Sequence, residues 1–181
     1  LVQHRDEIAQ RSGSVNTIIF DDSGTLRGAN TDGDGCCDAL AQAGASIEGS
    51  RAVVLGAGGT ARAVVAALGM RGAADVARVG SHIDIAEATL LINTTSVGMG
   101  SSESPVDPSL LHSSLTVLDA VYHPLETTFI AQARVAGAQT VDGLWMLICQ
   151  AVRQEQLWCG MTPDPQVMRD AALRALALRN A

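Results

Sequence analysis

Residues Arg51–Val65, RAVVLGAGGTARAVV, place an apolar run before a glycine-rich turn and a helix-forming stretch, an order that leaves few folds open. Val53, Val54 and Leu55 are continuously apolar, as a parallel strand must be when both its faces are covered. Gly56, Gly58 and Ala61 follow as G-x-G-x-x-A. The first permits a tight turn, the second removes a side chain where backbone approaches a pyrophosphate, and the third keeps helix close to strand. Free N–H groups and the positive end of the helix dipole then face the anion, so a diphosphate can be held without a lysine. A bland glycine turn with no coenzyme is the competing reading; the flanking strand and helix favour the dinucleotide.

With 181 residues, 47% of them apolar, the chain can bury a sizeable core of one domain or one and a fraction. No apolar stretch reaches the roughly 20 residues of a membrane span, and no basic segment leads into an apolar stretch and cleavage site. A cytoplasmic location is expected. A net charge of −7 without a basic cluster argues against nucleic acid and anionic membrane as partners and points to a small metabolite. Cys36, Cys37, Cys149 and Cys159 form no C-x-x-C pair and read as reduced thiols. His4, His82, His112 and His123 show no ligand spacing, so no metal site is expected. All 12 basic residues are arginine, and no ammonium of tunable pKa is available for proton transfer.

Along the chain, Leu1–Arg11 starts abruptly, partly helical and without an N-cap signal. Ser14–Phe20 and Thr25–Gly28 make a hairpin about the turn Asp21–Gly24, and Asn30–Gly35 leads into a helix over Cys36–Ala43 stopped by Gly44. After the glycine turn come a helix over Thr60–Met70 and strands at Asp75–Val79, Thr89–Asn93, Leu115–Ala120 and Ala138–Val141. Helices are expected over Thr127–Ala136, Gly143–Trp158 and from Asp164-Pro165 to Arg179. The polar loop Thr94–Met99 follows a strand's carboxyl end, where open α/β sheets bind ligands. Between the second and third parallel strands, Gly80–Ala88 is shorter than the roughly 10 to 12 residues a crossover with its helix needs. Either the crossover is abbreviated or residues are missing from it.

Six separated motifs, SVNTI (14–18), GANTDGDG (28–35), GAGGTARAV (56–64), LINTTSVGM (91–99), DAVYHPLETT (119–128) and DGLWMLICQA (142–151), together resemble the shikimate dehydrogenase family, including its quinate/shikimate relatives. The resemblance runs in order over nearly the whole chain. It implies an α/β fold: a Rossmann-like doubly wound parallel sheet over residues 49–181, with residues 1–48 a remnant of an N-terminal α/β catalytic domain. It also implies NADP-linked reduction of 3-dehydroshikimate to shikimate in aromatic amino-acid biosynthesis.

By the same resemblance, Asn16, Asp32, Tyr122 and Gln150 hold the substrate. Gly56, Ala57, Gly58, Gly59 and Thr60 hold the pyrophosphate, while Thr94, Ser96 and Val97 of the loop running to Met99, with Gly143 and Met146, flank the nicotinamide. The chemistry agrees, because short fixed acceptors and amides suit a polyol. Bland readings compete: an Asx-turn for Asn16, an N-cap for Asp32, a satisfied core amide for Gln150, an aromatic at a strand end for Tyr122 and core packing for Met146. In the family the catalytic Asp32 is paired with a lysine, which is absent here, so the chain by itself is expected to be inactive. The family's Asn-Arg-Thr clamp for a 2′-phosphate is also absent: Val79-Gly80-Ser81-His82 stands there, with no acid to mark NAD instead. Alternatives are an NAD-linked quinate/shikimate dehydrogenase, a non-catalytic dinucleotide-binding remnant, and a methylenetetrahydrofolate dehydrogenase, the last disfavoured by SVNT with NTDG. A homodimer is compatible with the chain but is specified by nothing in it.

Overall fold

The computed structural model describes residues 2–20, 23–79 and 84–179. Its first part is a three-stranded sheet of order β1-β3-β2, in which β1 (His4–Arg5) runs parallel and β2 (Thr17–Phe20) antiparallel to β3 (Leu26–Ala29). The hairpin is therefore present, with Asp21 and Asp22 of its turn outside the described residues. The first helix, α1 (Glu7–Ser12), corrects one expectation: it is capped by Asp6, whose Oδ1 accepts the Ala9 N–H at 2.6 Å. The other Asp6 oxygen accepts the Asn30 N–H at 3.1 Å, so the cap also pins the end of β3.

Helix α2 (Asp32–Gln42) begins well before Cys36. Its early glycines read as a loop in the sequence, but they serve close packing. A Cβ on Gly33 would strike the Ala63 carbonyl, and one on Gly35 would lie 2.7 Å from the Gln150 nitrogen. Bare backbone at these positions lets α2 press on both neighbouring helices.

The second sheet is five-stranded and wholly parallel, in the order β5-β4-β6-β7-β8. It comprises β4 (Arg51–Leu55), β5 (Asp75–Val79), β6 (Leu90–Asn93), β7 (Thr116–Asp119) and β8 (Gln139–Val141). Alternate residues serve two cores, as strands covered on both faces require. Val54, Ile92 and Leu118 join Leu40, Val64, Leu68 and Met146 on one side, and Val53, Leu91 and Val117 join Phe129 and Ile130 on the other. The first side carries α2, α3 (Gly59–Met70) and α5 (Gly143–Cys159); the second carries α4 (Thr128–Val135), capped by the Thr127 hydroxyl. The last helix, α6 (Pro165–Arg179), packs Met168, Leu173 and Leu176 against Leu144, Ile148 and Val152 of α5.

Numbered along the chain within this sheet, the strands run 2-1-3-4-5, a doubly wound order. The connection from β5 to β6 is short: Asp84–Ala88 makes a turn that buries Ile85 and contains no helix, and residues 80–83, His82 among them, lie outside the described residues. Cys36, Cys37 and Cys149 are buried and Cys159 exposed, all as free thiols. Among the described residues no helix is long and apolar enough to cross a membrane, and no group of three or more His, Cys, Asp and Glu could hold a metal ion.

Candidate active site

The chain winds from β4 outward to β5, then returns past β4 to β6, so the switch point of the sheet lies at the carboxyl ends of β4 and β6. Ligand crevices of open α/β sheets form there. Gly56 leaves β4 at φ 126, a backbone geometry open to glycine, and Thr94 leaves β6 directly beneath it. The Thr94 hydroxyl donates to the Leu55 carbonyl at 2.6 Å and would lie 2.5 Å from a Cβ on Gly56. Gly58 is the N-cap of α3 and offers no side-chain acceptor to the first-turn N–H groups; a Cβ there would meet nothing within 4 Å. No acidic residue lies in that first turn, so donors and space both face outward for an anion. Ala61 is fully buried against the sheet, in the packing role its place in the motif requires.

Beside this turn, α2 brings the Asp32 carboxylate to the start of α3. Asp32 Oδ2 accepts the Thr60 hydroxyl at 2.9 Å, and Oδ1 accepts Asn16 Nδ2 at 2.7 Å. Asn16 is held in turn: its Oδ1 accepts the Thr31 N–H at 3.0 Å and the Thr17 hydroxyl at 2.8 Å. Thr31 also donates its hydroxyl to Gln150 Oε1 at 3.1 Å, linking α5 to the cluster. Thus Asp32 is the first residue of its helix and not the cap, and Asn16 bridges between elements instead of closing an Asx-turn. Asp32, Asn16, Gln150, Tyr122, Thr60, Gly143 and Met146 share the lining of one cavity of about 340 Å³. Tyr122 is 41% exposed at its mouth, whereas Met146 is 5% exposed and belongs to the core as well.

The remaining coenzyme-side candidates sit apart from that lining, on the strand-end rim. Here a buried polar pair sets the loop after β6. Asn93 Nδ2 donates to Asp119 Oδ1 at 2.9 Å, while Asn93 Oδ1 accepts both the N–H and the hydroxyl of Thr95. The Thr95 hydroxyl then accepts the Val97 N–H at 3.1 Å, which fixes the course of Thr94–Val97 with Ser96 exposed. Asp119 is fully buried and also accepts from Val121 N–H and the Thr127 hydroxyl. Burial pushes its pKa above the ordinary 3.8, against the opposing effect of these three hydrogen bonds.

Several contributors escaped the sequence reading. Thr31, Asn93 and Asp119 act through contacts between distant segments, with no local signal beyond a buried polar residue at an element's end. Gln154, one helical turn after Gln150, lines the cavity and donates to the Thr17 hydroxyl at 3.1 Å; it could have been found from its i+4 spacing. A larger groove of about 490 Å³, lined by Arg51–Val53, Asp75 and Glu87 among others, lies toward the opposite ends of β4 and β5 and lacks this convergence.

Comparison with known proteins gives a consistent result. The family described as Shikimate 5'-dehydrogenase C-terminal domain matches residues 143–173. The shikimate dehydrogenase (NADP(+)) of Methanosarcina mazei is 39% identical over 201 residues, spanning 94% of this chain and 72% of the relative. That aligned length exceeds the 181 residues here, so the relative carries residues with no counterpart in this chain. The crystal structure of shikimate 5-dehydrogenase from Thermus thermophilus in complex with NADP(H) and shikimate superposes with a TM-score of 0.87 at 36% identity, covering 96% of this chain and 73% of that one. Quinate dehydrogenase from Corynebacterium glutamicum in complex with NAD gives a TM-score of 0.84 at 30% identity, over 96% and 72% of the two chains.

Proposed function

The chain belongs to the shikimate dehydrogenase family, and from that membership we propose that it holds the coenzyme and one wall of the substrate cleft of an NADP-linked dehydrogenase interconverting 3-dehydroshikimate and shikimate. In this reading residues 1–48 end a substrate domain and 49–181 form the coenzyme domain with its closing helices, a division supported by the two separate sheets. The observation that carries the proposal is the hydrogen-bonded chain Asn16–Asp32–Thr60. It joins a fixed carboxylate and amide, suited to ring hydroxyls, to the first turn of the helix after the glycine loop.

Asn16, Asp32, Tyr122 and Gln150 then orient the polyol, which a set of fixed acceptors and amides discriminates from analogues lacking a hydroxyl. Gly56–Thr60 receive the diphosphate, and Thr94, Ser96, Val97, Gly143 and Met146 border the nicotinamide. The coenzyme, when bound, supplies or accepts hydride. Holding reactants in register contributes on the order of 7 to 11 kcal/mol to such reactions. The proton for the developing alkoxide needs a separate donor. Asp32 can orient an ammonium, but no lysine is present to provide one. This 181-residue chain therefore binds both ligands without turning them over.

The test is to titrate the chain with shikimate in the presence of NADP(+), while following NADPH production. Saturable shikimate binding without NADPH is expected, and Asp32→Asn should weaken that binding about tenfold. Turnover near that of a full-length relative would contradict the need for the amine. Absence of shikimate binding to the coenzyme-saturated chain would contradict the substrate assignment.

A further inference from the structure

We infer that Gln154 is a positioning residue of the substrate cavity: acting through the Thr17 hydroxyl, it keeps the donor end of the Asn16 amide turned toward the Asp32 carboxylate. This deepens the substrate assignment proposed above and rests on it. Gln154 lies on α5, which packs on the second sheet, whereas Thr17 opens β2 of the first sheet and Asn16 precedes it. Gln154 and Asn16 both line the cavity of about 340 Å³, and Thr17 is buried outside that lining. The backbone here is already fixed, because the Asn16 N–H donates to the Ala29 carbonyl at 3.1 Å and Thr17 is paired with Ala29 across β2 and β3. One helical turn beyond Gln154, Trp158 Nε1 donates to the Ile18 carbonyl at 3.1 Å and holds α5 in register along β2. What remains to be set is the direction in which the side chains donate.

That direction follows from one donor that has no alternative role. The Thr31 backbone N–H can only donate, and it lies 3.0 Å from Asn16 Oδ1, so this atom is the amide oxygen. Thr17 Oγ1 is 2.8 Å from the same oxygen, which takes the single hydroxyl proton. The Gln154 atom 3.1 Å from Thr17 Oγ1 must then be a donor, and it is Nε2. Asn16 Nδ2 is thereby left on the far side of its amide, 2.7 Å from Asp32 Oδ1 and 3.1 Å from the Thr31 hydroxyl. Every bond from Gln154 through Thr17 and Asn16 to Asp32 thus donates in one sense, toward the carboxylate, and such aligned bonds polarise one another. A group at 154 that could only accept would draw the Thr17 proton to itself. Two oxygens would then face each other across the 2.8 Å between Thr17 and Asn16 with no proton between them, and the Asn16 amide would lose its hold on Asp32.

The experiment is a calorimetric titration of shikimate into the NADP(+)-saturated full chain, with thermal unfolding and the Asn16 side-chain amide resonances followed for each variant. Gln154→Glu keeps the shape of the side chain and replaces its donor with an acceptor. It should weaken shikimate binding about tenfold and move the Asn16 amide resonances, with the melting temperature near that of the parent. Thr17→Val should weaken binding by a similar factor, and Thr17→Ser, which keeps the hydroxyl, should stay within about twofold of the parent. In the Thr17→Val background, Gln154→Glu should add less than about twofold, because the relay is already cut. Gln154→Met, which removes the donor without adding charge, should also weaken binding, and unchanged affinity there would contradict the relay even if Gln154→Glu fails to fold. Parental affinity or unmoved Asn16 resonances in Gln154→Glu would overturn the assignment and leave the substrate site standing. So would a loss that persists in full on Thr17→Val, which is what direct repulsion between the new carboxylate and that of shikimate would produce. Absence of shikimate binding to the parent chain would instead overturn the substrate assignment itself, and this inference with it.

Discussion

Gly56 and Gly58 are two positions apart, yet their roles separate cleanly. At Gly56 a side chain meets two obstacles, the φ of 126 and the Thr94 hydroxyl at 2.5 Å from a would-be Cβ. At Gly58 it meets no protein atom within 4 Å. Gly56→Ala should therefore destabilise the fold, by about 1–3 kcal/mol for the backbone strain alone, and also weaken coenzyme binding. Gly58→Ala should leave the melting temperature near that of the parent but still weaken coenzyme binding, because the open space is where the proposed diphosphate site lies. Thermal unfolding with parallel NADPH titrations checks both; unchanged NADPH affinity in Gly58→Ala would remove the glycine turn from the site. The turn at Gly56 was legible in the sequence as a property of local backbone, whereas the Thr94 hydroxyl beneath it was not. The Asp32–Thr60 contact was not, since it depends on α2 closing onto α3 through Gly33, and the glycines of NTDGDG resemble loop signals when read without the opposing helix.

Among the elements, β6 and β7 end side by side, and the Asn93–Asp119 pair ties those ends together under the loop Thr94–Val97. The strands themselves were readable from apolar runs, and α4 and α6 from their capping and stop residues, but the Asp6 cap of α1 and the start of α2 at Asp32 were not. Asp119 was visible near the end of the predicted strand Leu115–Ala120 and at the start of the motif DAVYHPLETT; its burial follows from the packing of β7 beneath α4 and the Thr127 cap. Because its folded-state pKa is raised, Asp119 takes up a proton at higher pH than it does in the unfolded chain. Between the ordinary 3.8 and its raised value, the folded state binds more protons, so this group favours folding more as pH falls and loses that contribution as pH rises through the folded pKa. A carbon-detected NMR titration of the aspartates should place the Asp119 midpoint above 3.8. A midpoint at or below that value would mean that its three hydrogen bonds outweigh burial.

In the whole molecule, the two sheets meet through helices. Asp38 of α2 accepts a bidentate pair from Arg153 of α5, and Arg71 at the end of α3 bridges Asp34 and Asp38. These partly exposed ion pairs contribute modestly to stability, but they set α2, and thus Asp32, against α3. β5 stands at the edge of the sheet, and the switch-point crevice is built by its neighbour β4 together with β6. The five parallel strands were readable from the sequence, whereas β1, the order of the strands and the rotation of α2 and α5 that gathers Asn16, Asp32 and Gln150 into one cavity were not. The most direct measurement of the central claim is a backbone amide chemical-shift map of the chain titrated with NADPH and then with shikimate. NADPH should shift Gly56–Thr60 and Thr94–Val97, and shikimate should then shift Asn16, Asp32 and Gln150. Shifts confined to the groove around Arg51 and Asp75, or no shifts at either strand-end loop, would contradict it.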